Sequence, residues 1–174
     1  MQNQKLSSKM RITVSPQKLE EFSEKQAKFY TKYAAVACKT LGNSLFQGFL
    51  DWMMRRENID NHIVTNVHVR MLPFRKENGN GLAGKLNRKG EIFIYPKRLE
   101  FCRRLMQDFE KVSVYFYIKA RAMATLIHEL LHIKYSRDEN KVRQLTKKYF
   151  RIFTHHKSTQ NVNVNPMLKM LFSP

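Results

Sequence analysis

The 174-residue sequence predicts an α+β fold, and three observations support this prediction. Apolar residues recur at helical spacing toward both ends of the chain, apolar and polar residues alternate in its middle, and 43% of all residues are hydrophobic. This hydrophobic content suffices for a core and argues against disorder throughout the chain. We therefore expect one domain at residues 15–157, preceded by a flexible leader at 1–14 and followed by a tail at 158–174.

Residues 15–56 are predicted to form an N-terminal helical region. A Ser-Pro pair at its start has the pattern of an N-cap followed by proline in the first turn. Apolar side chains then recur at helical spacing as far as Leu41, where a Gly-Asn pair predicts an interruption. A second helical segment is expected from Leu45 to about Arg56.

Three short segments after this region predict a small antiparallel sheet. Apolar and polar residues alternate over residues 67–72, which is typical of a half-buried strand. Residues 82–86 and 91–95 are two further strand candidates, joined by a turn that contains glycine. His62 and His68 have no Cys, Asp or Glu at ligand spacing and are expected not to bind metal.

Helices are predicted for the rest of the domain. Residues 99–109 resemble a short helix, and residues 114–134 have the length and composition of a longer one. The longer segment is apolar on more than one face, which predicts the helix that is buried most deeply. A break at 136–138 precedes another amphipathic helix.

The chain carries 32 Lys and Arg residues against 14 Asp and Glu residues, a net charge of +18. Such an excess favours salt-sensitive contact with nucleic acid, but the basic residues are spread along the chain and are equally typical of a solvated surface. No apolar stretch reaches the roughly 18 residues of a membrane span, and no secretory signal is readable. A cytoplasmic protein is therefore expected, with Cys38 and Cys102 as buried thiols.

The strongest functional signal is the HExxH motif formed by His128, Glu129 and His132 on the predicted buried helix. Two histidines four residues apart project from one helix face, so both imidazoles can bind one Zn²⁺ ion at roughly 2.0–2.1 Å. Glu129 then faces a zinc-activated water and can act as general base for attack on a scissile carbonyl. In a chain of this composition, random placement produces the motif only about 0.01 times.

A catalytic zinc site usually has three protein ligands, so a third ligand is required. On one unbroken helix Glu139 would lie about 10 Å beyond His132, too far to share an ion. The break at 136–138 can reverse the chain and bring Glu139 back over the metal, which makes Glu139 the favoured third ligand. The alternatives are His155, His156 and Asp138, of which the last is better suited to capping the next helix.

The segment HELLHIKYSRDENKVRQLTKKYF resembles the minigluzincins, small soluble archaeal proteins that are similar to the catalytic domains of integral-membrane gluzincin metallopeptidases. The resemblance covers roughly residues 60–155 and implies a zincin-like fold, with a small antiparallel sheet and an active-site helix followed by a glutamate helix. It implies a zinc-dependent endopeptidase with His128, His132 and Glu139 as metal ligands and Glu129 as general base. In many larger gluzincins an acidic residue four positions after the glutamate ligand orients a ligand histidine, whereas this position is Arg143 here.

The same resemblance bears on binding of a peptide or protein substrate. In zincins an extended substrate pairs with the edge strand beside the cleft, and residues 91–95 are expected to form this strand. The apolar segment at 167–172 is expected to dock against the core, in a dimer contact or, as in latent enzymes of this family, in the cleft. The residue that stabilises the transition state is left open among Tyr95, Tyr135, Tyr149 and His155.

Two other interpretations of the motif remain open. A SprT-like protease would apply the same chemistry to DNA-bound proteins, with the +18 charge as docking device and a third histidine as metal ligand. A non-catalytic protein that binds zinc or nucleic acid would keep the motif without hydrolysing peptides.

Overall fold

The computed structural model describes residues 10–76, 79, 81–108, 114–157 and 171. In this part of the chain, helices and strands occur in separate runs in an α+β arrangement, as the sequence predicts. The elements in chain order are β1 (Arg11–Ser15), α1 (Glu24–Leu41), α2 (Ser44–Arg56), β2 (Asn66–Arg70), β3 (Phe74–Arg75), β4 (Gly81–Leu82), β5 (Gly84–Leu86), β6 (Glu91–Ile94), α3 (Leu99–Asp108), α4 (Val114–Tyr135) and α5 (Glu139–Lys157).

The main sheet has four strands in the order β1-β2-β6-β5, and it is mixed rather than antiparallel. β1 and β2 are parallel, β2 and β6 are parallel, and only β5 runs antiparallel to β6. The prediction of a purely antiparallel sheet is therefore wrong. The physical reason is the connection between β1 and β2, which includes α1 and α2 and is long enough to return the chain in the parallel direction.

The first strand replaces part of the expected flexible leader. Residues 11–14 belong to β1, while residues 1–9 lie outside the described part of the chain. Ile12 and Val14 are partly buried and pack against the hydrophobic core, so their alternation is that of a strand at the margin of the core. The domain therefore begins earlier in the sequence than residue 15.

The first helix begins at Glu24, eight residues later than the Ser-Pro pair predicts. Its N-cap is Ser23, whose hydroxyl accepts a hydrogen bond from the backbone N–H of Gln26, while the Gln26 side chain accepts one from the Ser23 N–H. This reciprocal capping box satisfies two backbone donors that the helix itself leaves unpaired. Ser15 instead ends β1, because its pairing with Arg70 continues the sheet.

Helix α4 lies at the centre of the fold, which confirms the prediction that this helix is buried most deeply. It packs against α1, α3 and α5 and against the sheet strands β5 and β6. Leu126, Ile127, Leu130 and Leu131 are fully buried on different faces of the helix. Because these neighbours surround α4, the residues of the HExxH motif are held on a rigid element.

No helix in the described ranges is long and apolar enough to cross a membrane. Cys102 is buried and Cys38 is partly buried, and neither forms a disulfide. Burial raises the pKa of the Cys102 thiol to about 11, so this thiol is neutral at physiological pH. The burial of Cys102 confirms the prediction of a buried thiol, whereas Cys38 is only partly buried.

Candidate metal centre

The chain reverses between α4 and α5, at the break that the sequence predicts. Asp138 caps α5: its side chain accepts a hydrogen bond from the Lys141 N–H at 3.0 Å, and its carbonyl accepts one from the Val142 N–H at 3.0 Å. The Asp138 N–H donates to the Tyr135 carbonyl at 2.9 Å, which closes the turn. Asp138 is thus used as an N-cap, and the first residue of α5, Glu139, is turned back toward α4.

Glu57, the residue that follows α2, also stabilises the reversal. The Tyr135 hydroxyl donates to one carboxylate oxygen of Glu57 at 2.7 Å, and the Tyr149 hydroxyl donates to the other. The Lys134 ammonium donates to the Glu57 carbonyl at 2.6 Å. These hydrogen bonds connect the end of α4 to α5 and thereby fix the position of Glu139 relative to α4.

Three side chains with metal-binding donor atoms come together at this reversal, two from α4 and one from α5. The Nε2 atoms of His128 and His132 are 3.0 Å apart, and Glu139 places Oε1 3.5 Å from the first and Oε2 3.2 Å from the second. Ligand atoms that surround a tetrahedral zinc ion at 2.0–2.1 Å are separated by about 3.3–3.4 Å. The observed spacing therefore fits a single zinc ion, and the three residues form a group that could hold a metal.

The alternative third ligand His155 lies far from this group. It is exposed near the end of α5, sixteen residues after Glu139, which corresponds to about 24 Å along the helix. The side chain of His156 lies outside the described residues. The geometry thus favours Glu139 over His155.

The protonation state of His128 suits metal binding. Burial lowers its pKa, and the adjacent His132 lowers it further, so the imidazole is neutral near pH 7. Its Nδ1 faces the hydroxyl oxygen of Thr146 at 3.4 Å, and that hydroxyl donates its proton to the Val142 carbonyl at 2.7 Å. The Thr146 oxygen can therefore accept from Nδ1–H, which leaves the lone pair of Nε2 directed at the metal position.

Thr146 is the residue that sequence reasoning missed. The position where an acidic partner occurs in larger gluzincins holds Arg143, whose Nε contacts Glu139 Oε1 at 3.0 Å and so supports the third ligand instead. Thr146 follows Glu139 by seven residues, two helical turns, and therefore lies on the same face of α5. Thr146 is fully buried, and its place beside His128 is visible only in the folded chain.

Replacing Thr146 by valine is expected to weaken zinc binding by about 10-fold to 100-fold, because the orienting oxygen on His128 is lost while the volume is kept. Competition with a chromophoric chelator measures this affinity. Thr154→Val is the matched control, since the Thr154 hydroxyl also bonds to a carbonyl one turn back on α5 but touches no ligand. Thr146→Ser should restore most of the affinity, and equal affinities in the two valine variants would contradict the assigned role.

Glu129 is buried next to the candidate metal-binding group and has a defined partner. Its Oε2 accepts a hydrogen bond from the Leu86 N–H on β5 at 3.0 Å, and its residue exposure is 8%. Burial raises the pKa of Glu129 to about 7, an effect that the Leu86 N–H partly opposes. A carboxylate with this pKa can both accept and return a proton near neutral pH.

Gly84 makes this close contact between β5 and α4 feasible. A Cβ at this position would lie 2.6 Å from Thr125 Cγ2 and 2.9 Å from Glu129 Cγ. Any side chain would therefore push the strand away from the helix and separate the Leu86 N–H from Glu129. The absence of a side chain is required here for packing, whereas the backbone torsion is ordinary.

A cleft of about 1080 Å³ is lined by residues of β5, α4 and α5, including the three residues of the metal-binding group. The expected edge strand, residues 91–95, is not at this edge: β6 lies between β2 and β5, and β5 ends the sheet. The reason is the tight turn at Asn87, whose N–H bonds to the Glu91 carbonyl at 2.9 Å and folds β5 over the open side of β6. The edge beside the cleft is thus formed by Gly84–Leu86.

None of the four candidates for transition-state stabilisation belongs to the described lining of this cleft. Tyr135 and Tyr149 donate to Glu57, and His155 is near the end of α5. Tyr95 is half-buried and packs against Phe74, with ring centroids 5.3 Å apart. The expectation of a Tyr or His donor therefore gains no support from the described residues.

The C-terminal tail lies outside the described residues except for Leu171. This side chain is partly buried, packs against the core cluster and lines the same cleft as His128, His132 and Glu139. One residue of the expected apolar segment is therefore located at the metal-binding group.

Comparison of this chain with protein-family models, with curated proteins and with solved structures finds no match in any of the three. The inferences below therefore start from the geometry of the site and from the motif.

Proposed function

We propose that the protein is a zinc-dependent endopeptidase of the minigluzincin type, with a zincin-like fold. The observation that carries the proposal is the group of His128, His132 and Glu139 beside the buried carboxylate of Glu129: the two Nε2 atoms are 3.0 Å apart, and each lies 3.2–3.5 Å from one carboxylate oxygen of Glu139. His128, His132 and Glu139 would hold the ion. Two imidazoles and one carboxylate form a donor set typical of catalytic zinc, since it leaves a coordination position open.

The residues around the ion supply the remaining steps of hydrolysis. Zinc, when bound, supplies a Lewis acid that polarises a carbonyl and acidifies water. Glu129 takes a proton from the attacking water and delivers it to the leaving amine, for which a pKa of about 7 is suitable. Thr146 keeps His128 oriented, and the Leu86 N–H keeps Glu129 oriented.

The edge strand β5 supports an extended peptide as substrate. Lys85 lies in the middle of β5, opposite Phe93 of β6, and Gly84 and Leu86 are its neighbours along the strand. The Leu86 N–H points to Glu129, so backbone groups at the alternate positions 84 and 86 are directed away from β6 toward the cleft. An unfolded segment could add to this edge by main-chain hydrogen bonds, which favours an endopeptidase acting on unfolded protein.

Incubation of the zinc-loaded protein with an unfolded protein substrate tests the proposal. We expect new peptide fragments by mass spectrometry, their loss after chelation, and their return after one equivalent of zinc is added. A protein that binds no zinc even after reconstitution would contradict the proposal.

We also propose that the C-terminal segment blocks the cleft, because Leu171 lines it. Truncation after Lys157 should then raise the rate of cleavage several-fold without changing the zinc content or the midpoint of thermal unfolding. Leu171→Lys should act in the same direction, since the cleft already carries an excess of lysine and arginine. If a folded, zinc-loaded truncation is no more active than the full chain on several unfolded substrates, the latency proposal fails.

The two other interpretations gain less support from the geometry. A SprT-like site needs a third histidine, whereas Glu139 occupies that place and His155 is about 24 Å along α5. A non-catalytic zinc-binding protein would show zinc without fragments in the assay above. A contact of the basic surface with nucleic acid and a cytoplasmic location remain predictions; the former requires affinity that falls steeply with salt.

A further inference from the structure

The cleft has a second feature that the metal-binding group does not use, an excess of positive charge. Its described lining includes Lys76, Lys85, Lys97, Arg121 and Arg143, whereas its carboxylates are Glu129 and Glu139. Arg143 pairs with Glu139, and Glu129 bonds to the backbone of β5. Among the described residues, the other four cations have no carboxylate oxygen within 4.0 Å.

Arg121 is the most buried of these cations. It lies on α4 with 9% of its surface exposed, and its Nε has no hydrogen-bond partner within the described part of the chain. Burial raises the pKa of the nearby Tyr33 hydroxyl, and the charge of Arg121 opposes this rise. A buried guanidinium without a counter-charge is costly, so its presence in a cleft points to a ligand that pairs with it.

Lys97 lies beside Arg121 and adds a second positive charge. It is half-buried, its ammonium stands 4.7 Å from the centre of the Phe101 ring, and burial followed by the charge of Arg121 lowers its pKa. Cys102, which is also close to both cations, is neutral and cannot balance them. Two adjacent cations that raise each other's energy are stabilised together when one anion binds between them.

We propose that Arg121 and Lys97 form a subsite for a substrate carboxylate, so that the cleft selects peptides with an acidic group near the scissile bond. This inference rests on the proposed peptidase function. Arg121 precedes His128 by seven residues, about 10 Å along α4, and an extended peptide advances about 3.3 Å per residue. The carboxylate is therefore expected within about three residues of the bond that is cleaved.

A peptide is a better occupant than nucleic acid for this subsite. The subsite opens into the cleft whose other wall is the strand edge Gly84–Leu86, and a strand edge recognises peptide backbone. Arginine recognises a carboxylate with two parallel hydrogen bonds, which matches the single planar group that an Asp, Glu or chain terminus carries. A side-chain carboxylate and a C-terminal carboxylate share this chemistry, and the experiment distinguishes between them.

The test measures binding of fluorescent hexapeptides to the full-length Glu129→Gln chain, whose zinc content is checked and which should not cleave them. The peptides are made in pairs, called twins, that differ only by Glu or Gln at one position. Each member of a pair is prepared once with a free and once with an amidated C-terminus. We expect the Glu peptide to bind at least about 10-fold more tightly at one position, because hydrogen bonds between charged groups are stronger than those to a neutral amide. Raising the salt concentration should reduce this preference.

Variants of Arg121 and Lys97 test whether the preference for the Glu peptide depends on the subsite. Arg121→Gln and Lys97→Gln should each remove most of the difference between the twins, and Arg121→Lys should retain part of it. Arg104→Gln is the matched control, because Arg104 is exposed on α3 and does not line the cleft. If burial makes Arg121→Gln unstable, Lys97→Gln alone decides, since Lys97 is only half-buried.

The outcomes separate this inference from the proposed function. Equal binding of the Glu and Gln twins, binding of neither, or a preference unchanged in Lys97→Gln overturns the subsite, as does tighter binding of a single-stranded oligonucleotide than of every acidic peptide. A preference for the free C-terminus alone assigns the subsite to a terminal carboxylate. Cleavage by the unsubstituted chain without acidic preference would leave the peptidase and overturn the subsite, whereas preferential binding without cleavage would do the reverse.

Discussion

Glu129→Gln is expected to lower the rate of peptide hydrolysis by about 10²-fold to 10⁴-fold while the protein keeps its zinc. Glutamine retains the volume of the side chain and can still accept the Leu86 N–H bond, but its amide cannot take a proton from water. Because Glu129 does not belong to the three-residue group that could hold the metal, its replacement should leave zinc affinity nearly unchanged. The rate and the zinc content are measured on the same preparation.

Glu100→Gln serves as the control for this variant, since Glu100 is an exposed carboxylate on α3 that does not line the cleft. It should be as active as the unsubstituted chain. Glu129→Gln with undiminished activity would remove Glu129 from the mechanism. Loss of zinc together with activity would instead place Glu129 among the ligands.

Replacing a metal ligand is expected to have the second large effect, loss of the ion itself. His128→Ala and His132→Ala should reduce zinc from one ion per chain to background by elemental analysis, because each removes one of three converging donors. Glu139→Gln should weaken zinc binding strongly, since the amide oxygen carries no charge. Zinc should raise the midpoint of thermal unfolding of the unsubstituted chain and should not raise that of the His variants.

Two other histidines provide the controls for the ligand series. His68 lies on β2 and contacts Glu91 at 3.3 Å, so His68→Ala should keep the zinc. His155→Ala should keep it as well, because His155 is exposed near the end of α5. Zinc retained in Glu139→Gln but lost in His155→Ala would contradict the assigned ligand set and favour the SprT-like alternative.

Local patterns in the sequence were informative wherever a feature depends on neighbouring residues. The helix α4, the break after Tyr135, the capping role of Asp138 and the return of Glu139 follow from periodicity, spacing and turn chemistry within a short segment. The start of the domain was placed wrongly for a related reason. Ser-Pro at residue 15 has the local pattern of a helix start, but pairing of β1 with the distant strand β2 determines its structure.

Pairing between distant segments decided the strand directions and the edge of the cleft. The alternation of apolar and polar residues identifies a strand but does not show which strand pairs with it. The sequence therefore could not distinguish residues 91–95 from Gly84–Leu86 as the edge strand of the sheet. The close approach at Gly84 depends on the positions of Thr125 and Glu129 on another element. Only the folded chain shows that this glycine matters.

The sequence by itself therefore determined the α+β class, the buried helix with the HExxH motif and the pattern that brings His128, His132 and Glu139 together, because these depend on spacing along one helix and across one turn. The tertiary structure alone decided the mixed sheet, the edge strand β5 and the roles of Thr146 and Arg121. Burial and hydrogen-bond partners of these residues are set by elements far apart in the chain, and such contacts leave no local periodic signal in a single sequence.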